Sequence, residues 1–251
     1  MSKKIGILGG MGPMATADLF AEIVRNTPAK TDQEHIHIIV DNYPQIPPRV
    51  PAILQGTESP LPMLVESAQR LEAAGADFII IACNTAHFWL DQLQKTVKVP
   101  IYSMIKYTAT YIQRHYSYFS GKMILLASSA TIQTNLYQKD FYSLGLHLSL
   151  PREQDQEVID LAIKNVKAGH AETNDYIQQL STILNRYEIE EGIVACIGGC
   201  TEIPLLFPYL KTDIVKINPT QLLAIMAVEQ AKGIILTNKY PIPKGISGNV
   251  S

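Results

Sequence analysis

Several things are scarce in this sequence, and each scarcity removes a class of explanation. Neither sign of charge dominates: 21 Lys and Arg stand against 23 Asp and Glu, for a formal net charge of −2. A nucleic-acid surface usually needs a basic patch, and this balance gives no hint of one. No apolar run approaches the roughly 18 residues of a membrane helix. The first run after Met1-Ser2-Lys3-Lys4 is only Ile5-Gly6-Ile7-Leu8, too short for a secretory signal. Cysteine occurs three times, an odd count with no disulfide spacing, so a reduced, cytoplasmic protein is the expectation. No low-complexity linker interrupts the chain. What the 251 residues do have is 47% hydrophobic content, enough to build one large domain or two medium ones around a sizeable core.

The pattern that organises the chain occurs twice. Phe78-Ile79-Ile80-Ile81-Ala82-Cys83-Asn84-Thr85-Ala86-His87 reads as a buried strand that stops at a cysteine and enters a polar turn. Gly192-Ile193-Val194-Ala195-Cys196-Ile197-Gly198-Gly199-Cys200-Thr201-Glu202-Ile203 repeats it, with Cys200 lying 117 positions after Cys83. Around these, strands and helices alternate, which argues for parallel α/β. Ile5 to Leu8 is a strand into a glycine turn, Pro13 starts a helix to about Asn26, and Ile36 to Val40 is a strand. Residues 41–51 hold four prolines and read as a stiff surface loop. Helices are expected over Leu61 to Ala74 and Ala86 to Lys95, and a strand over Pro100 to Ser103. The cycle then restarts. Lys122 to Ser129 lies 118 positions after the first strand, and the strand Asp213 to Asn218 lies 116 after its counterpart. Between them, helices over Ile132 to Leu144, Gln156 to Ala168 and Glu172 to Asn185 flank a weak strand at Leu146 to Leu150. The near-constant offset predicts two similar parallel-sheet α/β domains related by a pseudo-twofold axis. The expected division is 1–103 plus 219–251 against 104–218, with the helix Thr220 to Ala231 free to pack back on the first half. Open parallel sheets bind ligands beyond the carboxyl ends of their strands, so the site belongs between the halves.

Each chemical reading has a bland rival. A cysteine on an apolar strand is usually a small buried hydrophobe, which suits Cys196. Cys83 and Cys200 sit instead at strand ends beside polar residues, where loop amides and helix starts lower a thiol's pKa. Two such thiols on opposite faces of one carbon can serve as base and acid. Zinc is a rival use for Cys196, Cys200, Cys83 and His87, although structural zinc normally shows closer ligand pairs. His87, four residues after Cys83, is equally a helix-start histidine bonding its loop or a catalytic partner. Gly10-Met11-Gly12-Pro13-Met14-Ala15 with Asp41 resembles a dinucleotide fingerprint, but Asp41 lies further on than is usual. The same turn suits any small anion, a substrate carboxylate included. Arg49 could pair a carboxylate through two hydrogen bonds or simply be solvated. Lys167 sits where a helix dipole favours lysine anyway.

Gly9-Gly10-Met11-Gly12-Pro13, Asn42 to Arg49, Cys83-Asn84-Thr85-Ala86-His87 and Gly199 to Leu206 together resemble the aspartate/glutamate racemase family, in order and over essentially the whole chain. The resemblance implies a cofactor-independent amino-acid racemase of two α/β domains, with no metal. It implies that Cys83 and Cys200 are the acid/base pair and that Arg49 and Lys167 hold the substrate carboxylates. Met11, Asn84, Thr85, Ser129, Thr131 and Thr201 match pocket-lining positions. Gly10-Met11, in place of the Asp-Ser of the glutamate branch, points towards aspartate or a broader substrate. Asn218-Pro219-Thr220 and Leu223 depart from the family's usual aspartate and histidine there. The expectation is therefore racemisation of an acidic amino acid, most of all aspartate, by an isomerase that binds neither nucleic acid nor membrane and forms a homodimer. A dinucleotide-dependent oxidoreductase using the Gly10-Met11-Gly12 turn, or a non-catalytic binder of acidic amino acids, are the alternatives.

Overall fold

The computed structural model describes residues 2–236, and it contains two parallel β-sheets clothed in helices. The first half runs β1 (Ile5–Gly9), α1 (Pro13–Asn26), β2 (Ile38–Asn42), α2 (Arg49–Leu54), α3 (Leu61–Ala73), β3 (Phe78–Ile81), α4 (Leu90–Gln94) and β4 (Ile101–Tyr102). It continues through α5 (Met104–His115), β5 (Met123–Leu126), α6 (Ser129–Gln133), α7 (Leu136–Ser143), α8 (Glu153–Lys167) and α9 (Ile177–Glu191). The chain closes with β6 (Ala195–Gly198), α10 (Ile203–Leu206), β7 (Val215–Ile217) and α11 (Pro219–Lys232).

The sheet orders are β2-β1-β3-β4 and β5-β6-β7, and every strand pair is parallel. A parallel bridge between Ile124 and Ser149 lies on the free side of β5, where β2 lies beside β1. The two sheets therefore share one strand order, and the expected strand at 146–150 is reduced to that bridge. Every residue of β1, β3, β5 and β6 is buried, as near-continuous apolar runs must be when helices cover both faces of a parallel sheet. Because the cysteines follow β3 and β6, matching strands of the two sheets, the repeat seen in the sequence becomes a repeat in space.

α11 comes late in the chain but packs on the first sheet. Leu223, Ala224, Ala227 and Val228 join Ile5, Ile7, Leu19 and Ile23 in one core, and the Lys3 N–H donates to Ala231 O at 2.8 Å. Its Leu222 and Ile225 join the second half's core with Ile105, Ala109 and Ile112 of α5. α11 and α5 thus lie where the halves meet. Leu223 is an ordinary core residue here, and truncating such a side chain costs about 2–5 kcal/mol. Asn218 caps this helix, its Oδ1 accepting the N–H groups of Thr220 and Gln221. Of the expected first half, residue 1 and residues 237–251 lie outside the described residues.

Four local readings are corrected. The proline segment is not loop throughout: α2 starts at Arg49, with Pro48 as N-cap and Pro51 in the first turn, where a missing N–H breaks no helical bond. The helix expected over Ile132 to Leu144 is two, because Asn135 adopts a left-handed φ of 54° that asparagine tolerates and a helix does not. The helix expected from Ala86 opens as a 3-10 turn over Thr85–Trp89. The helix expected at Glu172 begins at Ile177 and runs to Glu191, ending at Gly192 with a φ of 65°. Among the described residues no helix is long and apolar enough to cross a membrane.

Candidate active site

β3 delivers Cys83 to the carboxyl end of the first sheet, two residues past the strand. The Ala82 N–H donates to Leu8 O at 2.9 Å, extending the ladder up to the cysteine. The chain then folds into the Thr85–Trp89 turn, and His87 braces it. Its Nδ1 lies 2.9 Å from Cys83 O and 3.2 Å from Asn84 O, while its Nε2 accepts the Met104 N–H at 3.1 Å. Two carbonyls on one nitrogen and an amide donor on the other define a neutral imidazole with the proton on Nδ1. Burial holds its pKa down at about 4, the two carbonyls opposing this only in part. Of the two readings of His87, the loop-bonding one describes its contacts.

β6 delivers Cys200 in the same way, two residues past the strand. Gly199 is required there because a Cβ would lie 2.5 Å from Leu125 Cδ1 and 3.0 Å from Ala127 Cβ, so the turn drops directly on to β5. The Cys200 thiol donates to Glu202 Oε2 at 2.9 Å, and the Thr201 hydroxyl donates to the same oxygen at 3.2 Å. Burial pushes the Cys200 thiol far up, and the Glu202 carboxylate beside it pushes the same way; Lys167 opposes them. Cys83 and Cys200 are free thiols, each 5% exposed, whereas Cys196 is 0% exposed. Burial takes the Cys196 thiol up to about 12, and its role is packing.

Lys167, the last residue of α8, connects the charges. Its Nζ lies 3.8 Å from Glu202 Oε1. Burial works against the ammonium, but Glu202 and then Cys200 and Cys83 outweigh it, so its pKa is raised; Arg49 is the nearby charge that opposes them. One cation therefore feels both thiols, the carboxylate and the guanidinium. Arg49 opens α2 and is locked by backbone: Nη1 donates to Ile46 O and Pro47 O at 3.1 and 3.0 Å, and Nη2 to Met11 O at 3.0 Å. These bonds use three of its five N–H groups, and among the described residues the other two remain for a ligand. Met11 enters through that carbonyl, while its side chain lies in the same core as Ile46 and Cys83.

The glycine turn is occupied by the protein itself. Gly10 has a φ of 91°, and a Cβ on it would lie 2.4 Å from the Tyr43 backbone, so the glycine admits the neighbouring loop. The Gly10 N–H donates to Thr16 Oγ1 at 2.9 Å. Glu202 Oε1 would lie 3.5 Å from a Cβ on Gly12, which puts a carboxylate at the start of α1 where a dinucleotide would place its pyrophosphate. Like charge there disfavours the dinucleotide reading.

The remaining candidates divide by partner. Thr85, Ser128 and Thr131 form a ring of hydroxyls with three contacts of 3.1 Å, so a first-half turn is tied to a second-half helix start. The Ser129 hydroxyl and N–H both donate to Asp160, committing Ser129 to α8. Asn84 Oδ1 accepts from the Tyr137 hydroxyl, while Asn84 Nδ2, fully buried, has no hydrogen-bond partner among the described residues. Glu202, Tyr137 and Ser128 are the polar groups that motif reading missed. Glu202 stood in view two residues after Cys200, but only its rotamer reveals the bond to sulfur. No group of three or more His, Cys, Asp or Glu able to hold a metal occurs among the described residues.

Comparison with known proteins matches residues 8–227 to the Asp/Glu/hydantoin racemase family. An aspartate racemase from Picrophilus torridus superposes with a TM-score of 0.80 at 28% identity, covering 92% of this chain and 94% of that one. An aspartate racemase homologue from Pyrococcus horikoshii gives 0.71 at 25% identity, with 92% and 99% covered. A broad specificity amino-acid racemase from Bacillus subtilis is 25% identical over 225 residues, 88% of this chain and 94% of the relative.

Proposed function

The chain belongs to the Asp/Glu/hydantoin racemase family, and from that membership we propose that it interconverts L- and D-aspartate, without a cofactor, by proton transfer between two cysteines and the α-carbon. The observation that carries this reading is the pair of free, barely exposed thiols after matching strands of two like sheets, with Lys167 coupled to both. The similarity to an aspartate racemase over nearly its full length favours aspartate. The broad specificity of the Bacillus relative makes glutamate the first substrate to compare with it.

In the resting enzyme Cys200 keeps its proton, because burial and Glu202 both disfavour its thiolate. In the direction of turnover that starts from a protonated Cys200, the group across the substrate, Cys83, acts as the base. Its thiolate takes the α-hydrogen, the C–H electron pair moves into the α-carboxylate, and the Cys200 S–H proton is delivered to the opposite face. Turnover leaves Cys83 protonated and Cys200 as thiolate, the form that accepts the other enantiomer. With no conjugated electron sink, the developing charge must be met by fixed donors. Lys167, the two free N–H groups of Arg49 and Asn84 Nδ2 are those donors, and holding both carboxylates keeps the α-carbon between the sulfurs.

The test is incubation with L- and D-aspartate and L- and D-glutamate in D₂O. The expected outcome is Cα deuteration together with loss of optical rotation, fastest for aspartate. Unchanged substrate in all four incubations would sink the racemase reading.

A further inference from the structure

Tyr137 touches both cysteine turns. It is the second residue of α7 and fully buried. Its ring lies under the Cys200 turn, with Cε2 3.4 Å from the place a Gly199 Cβ would take. Its hydroxyl crosses to the other turn and donates to Asn84 Oδ1 at 2.5 Å. Asn84 directly follows Cys83 and is 1% exposed. A carboxamide has one acceptor end and one donor end, and its environment decides which way it faces. Here the acceptor end is engaged by the phenol, and the donor end is the buried Nδ2 with no partner among the described residues. A buried donor left unpartnered is unfavourable, so its retention beside Cys83 points to a ligand acceptor.

We propose that Tyr137 is a positioning residue for the racemisation: by donating to Asn84 Oδ1 it fixes the carboxamide so that Nδ2–H, and not an oxygen, meets the substrate's α-carboxylate. This rests on the racemase reading above. The reversed carboxamide would set an acceptor against the carboxylate where negative charge grows in the transition state. A hydrogen bond to a charged group is worth about tenfold to a hundredfold in an equilibrium or a rate. Burial, and then the nearby Cys200, push the phenol's pKa well up, so the hydroxyl remains a donor through the working pH range.

The experiment is a double-mutant cycle of Tyr137→Phe and Asn84→Ala in the full chain, read as kcat and KM for L-aspartate. Variants too slow for that assay are read by Cα deuteration over days. Tyr137→Phe keeps the ring and its packing, so its thermal midpoint should stay within a few degrees of wild type. Its kcat should fall about tenfold or more in the wild-type background, and change less than about twofold in the Asn84→Ala background. Equal losses in both backgrounds would show that Tyr137 acts independently of Asn84, and wild-type kcat in Tyr137→Phe would show that it does not act at all; either overturns the proposal. A wild-type protein that exchanges no amino acid would instead remove the racemase reading, and this inference with it.

Discussion

The Cys83 turn and the Cys200 turn are the same device built with different neighbours. Each cysteine follows a fully buried central strand of a parallel sheet, and each retains the same 5% exposure. Behind Cys83 stands a neutral imidazole that bonds backbone atoms. Beside Cys200 stands a carboxylate bonded to the sulfur itself, with an ammonium on its far oxygen. The lesson is that a repeated fold supplies two equivalent places for a thiol, while residues two to four positions further on give the two places different neighbours. One turn is braced; the other is charged.

Breaking either thiol should have the largest effect. Cys83→Ala and Cys200→Ala are each expected to lower racemisation by at least about a thousandfold, the scale of a lost acid or base. Cys196→Ala, which removes only a buried S–H group from the core, should stay within about twofold, as read by polarimetry on L-aspartate. The asymmetry itself can be removed next. Glu202→Gln deletes the negative charge beside Cys200 and should let that thiol ionise at lower pH. Iodoacetamide labelling of Cys200 followed by mass spectrometry across pH should show its midpoint moving down, with kcat reduced about tenfold to a hundredfold. An unmoved midpoint would mean that Glu202 does not govern the thiol.

The last effect belongs to the braced turn and concerns stability, not turnover. The His87 pKa is about 4 in the folded protein against an ordinary 6.5, so between these values the unfolded chain binds the extra proton. This contribution is complete above pH 6.5 and is lost as pH falls towards 4, on the order of 3 kcal/mol in all. Urea unfolding at pH 7 and pH 5 should show the decline, and His87→Gln should flatten it. An equal decline in the variant would place the acid sensitivity elsewhere.

Much of this was legible in the sequence, and what was not has physical reasons. The strands were readable because buried parallel strands are continuous apolar runs, and the repeat was readable because both cysteine strands keep their distance from the start of their own half. α5 has no counterpart among the expected elements, although Ser103 is a good N-cap and Met104, Ile105, Thr108, Ala109 and Ile112 fall on one face. The sequence lets α11 pack back on the first half but does not single out the face that docks, because residues Leu222 to Val228 are all buried and no polar face marks a direction. The break at Asn135 depends on a single left-handed residue that composition does not announce. At the candidate site the cysteines stood out by their flanking residues. The Glu202 bond to sulfur, the carbonyl cage of Arg49 and the Tyr137 bond to Asn84 did not, because each joins residues through rotamers or across the two halves.

The central claim is that Cys83 and Cys200 address opposite faces of one α-carbon. It is tested most directly by solvent-deuterium exchange in Cys83→Ala and Cys200→Ala, each given pure L-aspartate and pure D-aspartate. With one base left, a variant should exchange the α-hydrogen of only one enantiomer without inverting it, and the two variants should choose opposite enantiomers. Exchange of the same enantiomer by both, or of both enantiomers by either, would contradict the account.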